Sequence, residues 1–424
     1  MKRDFLFLIL LTLLTSCIDR IDLGEDVADQ YRRQLYIEGR ILSGATSVFY
    51  VQYTIPMTQT KREYVDDAEL RIVSDMGFVS DAAVWNEDDK SYAIPTGTLN
   101  TAERYKLVAK VEGETYESDF LTLQPSLHID KVWFTEHPRE NLGHNYWSND
   151  HIDIHVSTHG TDADARHYMW TWEEDFEYHV PYDLSLVHGP LPEGVFPYYA
   201  TYDPLLWTGL EQHKTNPFYY CWKHGQSSDY RLYSTEDLAQ NVIDDVVVAS
   251  FEKQPMVMGG MSVNQLSPRF SYLYAITVHQ STLDSVAYSY YRQMEQYTEE
   301  MGGLFSPTPY DLYGNIHCTS HPELRVRGNI TTSEVSSYRL FISREEVHLK
   351  TDYDPVPPLD LDTYYGNLSV SEMIAQGHAF GTIGPASDYN HAKFKYLFYR
   401  PCINCLSVEG STKQKPEWWP TDDE

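Results

Sequence analysis

The stretch Arg104-Tyr105-Lys106-Leu107-Val108-Ala109-Lys110-Val111 alternates polar and apolar side chains at a period of two. Glu112-Gly113-Glu114 follows, and Thr115 to Leu123 repeats the alternation. Side chains on a strand point alternately to opposite faces, so this pattern predicts two antiparallel strands, half-buried and joined by a tight turn. Working outward, Leu35-Tyr36-Ile37-Glu38-Gly39-Arg40-Ile41, Val48 to Tyr53, Ala68 to Val73 and Tyr92-Ala93-Ile94 have the same texture. Six or seven strands at spacings of about ten residues, with turn residues between, predict an immunoglobulin-like β-sandwich over residues 34–124.

Gln124-Pro125-Ser126 reads as a hinge into a larger domain, residues 125–424. Strand-like runs recur there at Ile129 to Phe134, His151 to Val156, Tyr168 to Trp172 and Arg269 to Val278. One helix is expected near 283–301. Ser281-Thr282-Leu283-Asp284 offers capping groups, Val286, Tyr290, Tyr291, Met294 and Tyr297 recur at helical spacing, and Gly302-Gly303 ends the run. The expected class is mostly β: a sandwich followed by a β-rich domain with at least one helix.

The amino terminus carries a different signal. Lys2 and Arg3 precede the apolar run Phe5 to Leu14, which closes on Leu14-Thr15-Ser16-Cys17. The run is short for a membrane span and reads as a secretory signal over residues 1–16. A branched residue, two small residues and a cysteine look like a bacterial lipobox, with cleavage between Ser16 and Cys17 and lipid on Cys17. An ordinary signal peptide with a chance cysteine is the alternative. Each buried methylene contributes about 0.8 kcal/mol, so several acyl chains would hold the protein at a membrane. Residues 17–33 include Asp19, Asp22, Glu25, Asp26 and Asp29 and read as an acidic tether.

The formal net charge is −30 over 424 residues. Such a surface repels nucleic acid and anionic headgroups, so no nucleic-acid partner is expected. The 34 tyrosines suit half-buried strand faces and ligand platforms alike. Phe196 to Tyr202 with Trp207 is the best platform candidate, through Tyr198, Tyr199, Tyr202 and Trp207. The cysteines left after lipidation are Cys221, Cys318, Cys402 and Cys405, candidates for structural disulfides of open connectivity. The Cys402-Cys405 spacing also permits a thiol redox pair or half of a zinc site.

His151, Asp153 and His155 would share one strand face, which could bind a metal if a third ligand approached. A solvated polar face is the favoured reading, and no metal or cofactor is assigned. Asp352, Asp354, Asp360 and Asp362 flank a proline loop without the glycine of a calcium loop. His-Glu-x-x-His, Gly-x-Ser-x-Gly and phosphate-cradling glycine loops do not occur, so no enzyme activity is expected.

Several motifs together resemble a known family. Ile37-Glu38-Gly39-Arg40-Ile41, Cys221-Trp222, the strand and helix from Phe270 to Met301, Gly314-Asn315-Ile316, Cys402-Ile403-Asn404-Cys405 and Lys415 to Pro420 follow one another in order. In that order, behind Cys17, they resemble the Bacteroidota outer-membrane lipoproteins catalogued as domain-of-unknown-function family 4249. Cys318 stands where that pattern has a polar residue. The resemblance implies an envelope location and encoding beside TonB-dependent outer-membrane transporters, with no established activity. The expected role is therefore a lipid-anchored outer-membrane protein, surface-facing rather than periplasmic. It would be a non-enzymatic accessory to such a transporter, binding a small nutrient ligand or the transporter itself. A structural or assembly subunit of an envelope complex and an envelope hydrolase with an unrecognised site are the alternatives.

Overall fold

The computed structural model describes residues 33–55, 61–138, 150–161, 164–182, 186–188, 210–212, 218–227, 229–252, 254–258, 261–265, 268–300, 314–349, 359–360, 372–373, 378–381 and 396–420. The chain is mostly β, as the alternation predicted. It divides into two units: one takes the chain up to Leu123 together with Gln293–Thr332, the other Gln124–Arg292 and the chain from Ser333 onward. The chain therefore leaves the first unit next to the expected hinge and later returns to it.

The first unit is built on β1 (Leu35–Ser43), β2 (Thr46–Tyr53), β3 (Glu69–Ser74), β4 (Arg104–Val111) and β5 (Glu114–Ser118). β1 pairs antiparallel with β2, while β4 lies between β3 and β5. Ile37, Ile41, Phe49 and Val51 from one sheet share an apolar core with Leu70, Ile72, Tyr105, Leu107 and Val111 from the other. Every second residue of β4 is buried, so one face of the strand carries its hydrophobic stabilisation, about 1.5–3 kcal/mol for each large side chain. Glu112 and Gly113 make the two-residue turn into β5, with φ of 51° and 87°.

The returning segment closes this core. Ile316–Cys318 pairs with β5, and Ile316 and Cys318 are buried in the same cluster. Asn315 prepares that pairing: its amide Nδ2 donates to the carbonyl of Ile330 at 2.8 Å and its Oδ1 accepts the Ile330 N–H at 2.9 Å. A side chain thus satisfies both backbone groups of Ile330. A Cβ on Gly314 would stand 1.8 Å from the Gly328 carbonyl oxygen, so only glycine permits this approach.

The second unit contains β6 (Lys131–His137), β7 (His151–His159), β8 (His167–His179), β9 (Tyr220–Gln226), β10 (Val242–Glu252), β11 (Leu273–Leu283), α1 (Ser285–Glu300) as far as Arg292, and β12 (Ile330–Ser343) from Ser333. β7 runs between β6 and β10 in a three-stranded sheet. A larger sheet has the order β9, β8, β11, β12. Ile152, Ile154 and Val156 of β7 meet Tyr168, Trp170, Ile276 and Val278 of the larger sheet in one core. Two inner polar groups are satisfied by side chains: Trp170 Nε1 donates to Gln280 Oε1 at 2.8 Å, and the Tyr168 hydroxyl to Asn241 Oδ1 at 2.7 Å.

α1 starts where the capping residues predicted. Asp284 Oδ1 accepts the Ala287 N–H at 2.8 Å. The buried face is Ala287, Tyr290 and Tyr291. Val286, expected on that face, is exposed instead, because it lies one position away from Ala287 around the turn. Among the described residues, no helix is long and apolar enough to cross a membrane.

Candidate functional site

The three-stranded sheet buries one face and presents the other. On β7, Ile152, Ile154 and Val156 point into the core, so period two places His151, Asp153 and His155 together on the opposite face. The antiparallel register of β6 and β7 sets Trp133 opposite His155, Thr135 opposite Asp153 and His137 opposite His151. Six polar or aromatic side chains are thereby gathered on two neighbouring strands.

This face is less solvated than the strand pattern suggested. His155 is only 8 % exposed. The indole of Trp133 stacks on its ring at 5.3 Å and 13°, and Lys131 Nζ lies 5.2 Å from the indole. His137 and His151 stack on each other at 4.7 Å and 12°. The side chain of His137 stays about half exposed, so the cluster has a closed end at His155 and an open end at His137.

Hydrogen bonds converge inside the cluster. Thr135 Oγ1 is 2.7 Å from His155 Nε2 and 2.9 Å from His137 Nε2. Asp153 Oδ2 lies 3.4 Å from His137 Nε2 and 3.7 Å from His151 Nε2. The other nitrogen of His155, Nδ1, is 2.6 Å from Asp245 Oδ1 on β10. Asp245 reaches it through an irregularity. Val156 pairs with Val246 and Thr158 with Ile243, so Ser157 faces the two residues Asp244 and Asp245. This bulge keeps Ile243 and Val246 in the core while turning both carboxylates outward. One donor atom from each of His137, Asp153 and His155 lies within 4.8 Å of the others.

A second polar centre is buried in the same unit. Glu174, on β8, is 3 % exposed and accepts from Arg269 Nε at 2.9 Å and 2.7 Å. The guanidinium sits 5.3 Å from the Phe251 ring and 5.8 Å from that of Phe176. Complete burial holds the Tyr274 hydroxyl well above the usual phenol range, with the negative charge of Glu174 adding to the effect. The centre is a desolvated ion pair walled by aromatic rings, which locks β8 to the turn before β11.

The candidates from the sequence fare differently. Cys221 and Cys405 form a disulfide spanning 184 residues, tying β9 to the carboxy-terminal segment. Cys318 and Cys402 are buried thiols without a disulfide, one in each unit. Among the described residues no second disulfide occurs, and with Cys405 committed to Cys221 the Cys402-Cys405 spacing makes neither a redox pair nor half of a zinc site. Ser16, Cys17, Tyr198, Tyr199, Tyr202, Trp207, Asp352, Asp354 and Asp362 lie outside the described residues; Asp360 is in a short strand, Leu359–Asp360. His137 and Asp245 were missed, since strand register and a bulge brought them to His155.

A family profile described as "Domain of unknown function (DUF4249)" matches residues 21–339. The chain belongs to that family. No curated protein matches it. Among solved structures, a biofilm-associated protein BSP domain aligns at 7 % identity with a TM-score of 0.14, over 59 % of this chain and 56 % of that one. The chain thus spans little more than half of that structure's length. A biofilm-associated protein B domain aligns at 8 % identity and a TM-score of 0.14, over 73 % of this chain and 86 % of that one.

Proposed function

We propose that this protein is an outer-membrane lipoprotein of the cell envelope, held by lipid on Cys17, that serves a TonB-dependent transporter as a non-enzymatic accessory. The observation that carries the reading is the run from Lys2 to Cys17, a charged start and an apolar core closing on Leu-Thr-Ser-Cys, followed by an acidic stretch. Membership of the DUF4249 family supports it. In this reading the first unit is an immunoglobulin-like spacer and the second carries recognition on the surface side of the membrane. Lipid fixes the protein beside its partner, which raises the effective concentration of ligand or transporter without added contacts.

The test is co-purification from native membranes in mild detergent. A transporter recovered stoichiometrically, with loss of ligand uptake on deletion, is the expected result. Recovery of a larger envelope complex with uptake unchanged would favour an assembly subunit instead. Hydrolysis of a glycan or peptide by the purified protein, abolished by one carboxylate substitution, would make it an envelope hydrolase.

A further inference from the structure

We infer that the outer face of the β6-β7-β10 sheet is a binding site for a divalent transition-metal ion, with His137 Nε2, Asp153 Oδ2 and His155 Nε2 as ligands and an open position beyond them. The inference goes beyond the accessory role and does not rest on the lipid anchor or on a transporter.

The donor chemistry is the first argument. Two imidazoles and one carboxylate form a mixed nitrogen and oxygen set, which suits zinc, cobalt, nickel or copper and not calcium or magnesium. Tetrahedral ligands at about 2.0–2.1 Å from zinc stand about 3.3 Å apart. His137 Nε2 and Asp153 Oδ2 already lie 3.4 Å apart. One donor atom from each of the three residues lies within 4.8 Å of the others, so side-chain rotations that shorten the longest separation by about 1.5 Å close the set.

Orientation is the second argument. A carboxylate only accepts hydrogen bonds, so Asp245 places the ring proton of neutral His155 on Nδ1, 2.6 Å away. The lone pair is then on Nε2, which faces Thr135 Oγ1 at 2.7 Å. His137 Nε2 approaches the same hydroxyl from the other side at 2.9 Å, where it donates its own proton, so coordination takes the tautomer of the exposed His137 ring that carries the proton on Nδ1. A carboxylate behind a metal-binding imidazole fixes its tautomer and raises its basicity. Asp245 is thus a positioning residue, and the bulge in β10 is what aims it. Stacking supplies rigidity: Trp133 covers His155, and His151 covers His137. The exposed side of His137 leaves room for water or for a donor group of a bound molecule.

The experiment is titration of the purified full-length protein with Co²⁺ alone, read by visible absorption and calorimetry, with Zn²⁺ as competitor. One equivalent is expected, giving d–d bands without a thiolate charge-transfer band, displaced by Zn²⁺ and not by Ca²⁺. His137→Ala, at the exposed end and outside the apolar core, should weaken binding about tenfold or more. Asp245→Asn, which touches no metal, should weaken it about 10- to 100-fold. Far-ultraviolet dichroism confirms that each variant is folded. The inference is overturned by no binding to the wild type, by binding that these substitutions leave unchanged, or by a thiolate band that assigns the ion to Cys318 or Cys402.

Discussion

Asp245 on β10 stands 2.6 Å from the Nδ1 of His155 on β7, at a point where two residues of one strand oppose a single residue of the other. The bulge converts an ordinary exposed aspartate into a partner for a buried ring. Asp245→Ala leaves that ring nitrogen without its acceptor. Because Asp245 itself remains largely exposed, the loss should be modest, about 1 kcal/mol. Urea denaturation should show a lower midpoint with an unchanged slope.

His167 gives the protein a pH-dependent element. Burial holds its imidazole below the ordinary 6.5, outweighing the attraction of Glu236 and Asp284. The ring stacks on Tyr288 at 4.4 Å, and its Nδ1 is 3.0 Å from Ser234 Oγ. Below pH 6.5 the unfolded chain takes up a proton that the folded ring resists, so this residue's contribution is full above 6.5 and is lost as pH falls through the lower folded value. The stability difference between wild type and His167→Phe, measured by urea denaturation across pH 5 to 8, should shift against the wild type on the acid side. A difference independent of pH would contradict this.

The β4-β5 turn makes opposite predictions at adjacent positions. Glu112 and Gly113 both have positive φ, the geometry of a two-residue turn that matches strand twist. Glutamate adopts it at a cost that asparagine largely avoids, so Glu112→Asn should raise stability by about 0.5 kcal/mol. Gly113→Ala should lower it by about 1 kcal/mol or more. Thermal melts of the two variants should move in opposite directions.

Closing a loop of 184 residues, the Cys221–Cys405 disulfide falls at the upper end of the chain-entropy estimate. Replacing both cysteines with alanine should cost about 2–5 kcal/mol, read by denaturation under oxidising conditions. The thiols of Cys318 and Cys402 are buried, so a water-soluble thiol reagent should label them only on unfolding. Rapid labelling in the native state would contradict their placement.

The strands and the helix start were legible because their signals are local. Tyr105, Leu107, Ala109 and Val111 announce β4 by spacing alone, and Asp284 announces α1 by its cap. What depended on distant partners was not. His137 is an unremarkable end of a strand until register sets it against His151. Asp245 follows Asp244 as an ordinary acidic pair between Ile243 and Val246, and only the extra residue in β10 gives it a direction. The same holds for the return of Gln293–Thr332, which joins the first unit where Ile316–Cys318 pairs with β5 and which Asn315 braces internally through its two bonds to Ile330. Cys402 and Cys405 are near neighbours in sequence, yet the partner of Cys405 comes from β9.

In the proposed role, lipid on Cys17 would hold this β-built protein at the envelope, and metabolic labelling with radioactive palmitate tests that anchor. Wild-type protein should carry label and sediment with outer membranes, whereas Cys17→Ser should carry none and appear in the soluble fraction. Equal labelling and equal sedimentation of the two would rule out a lipid anchor on Cys17.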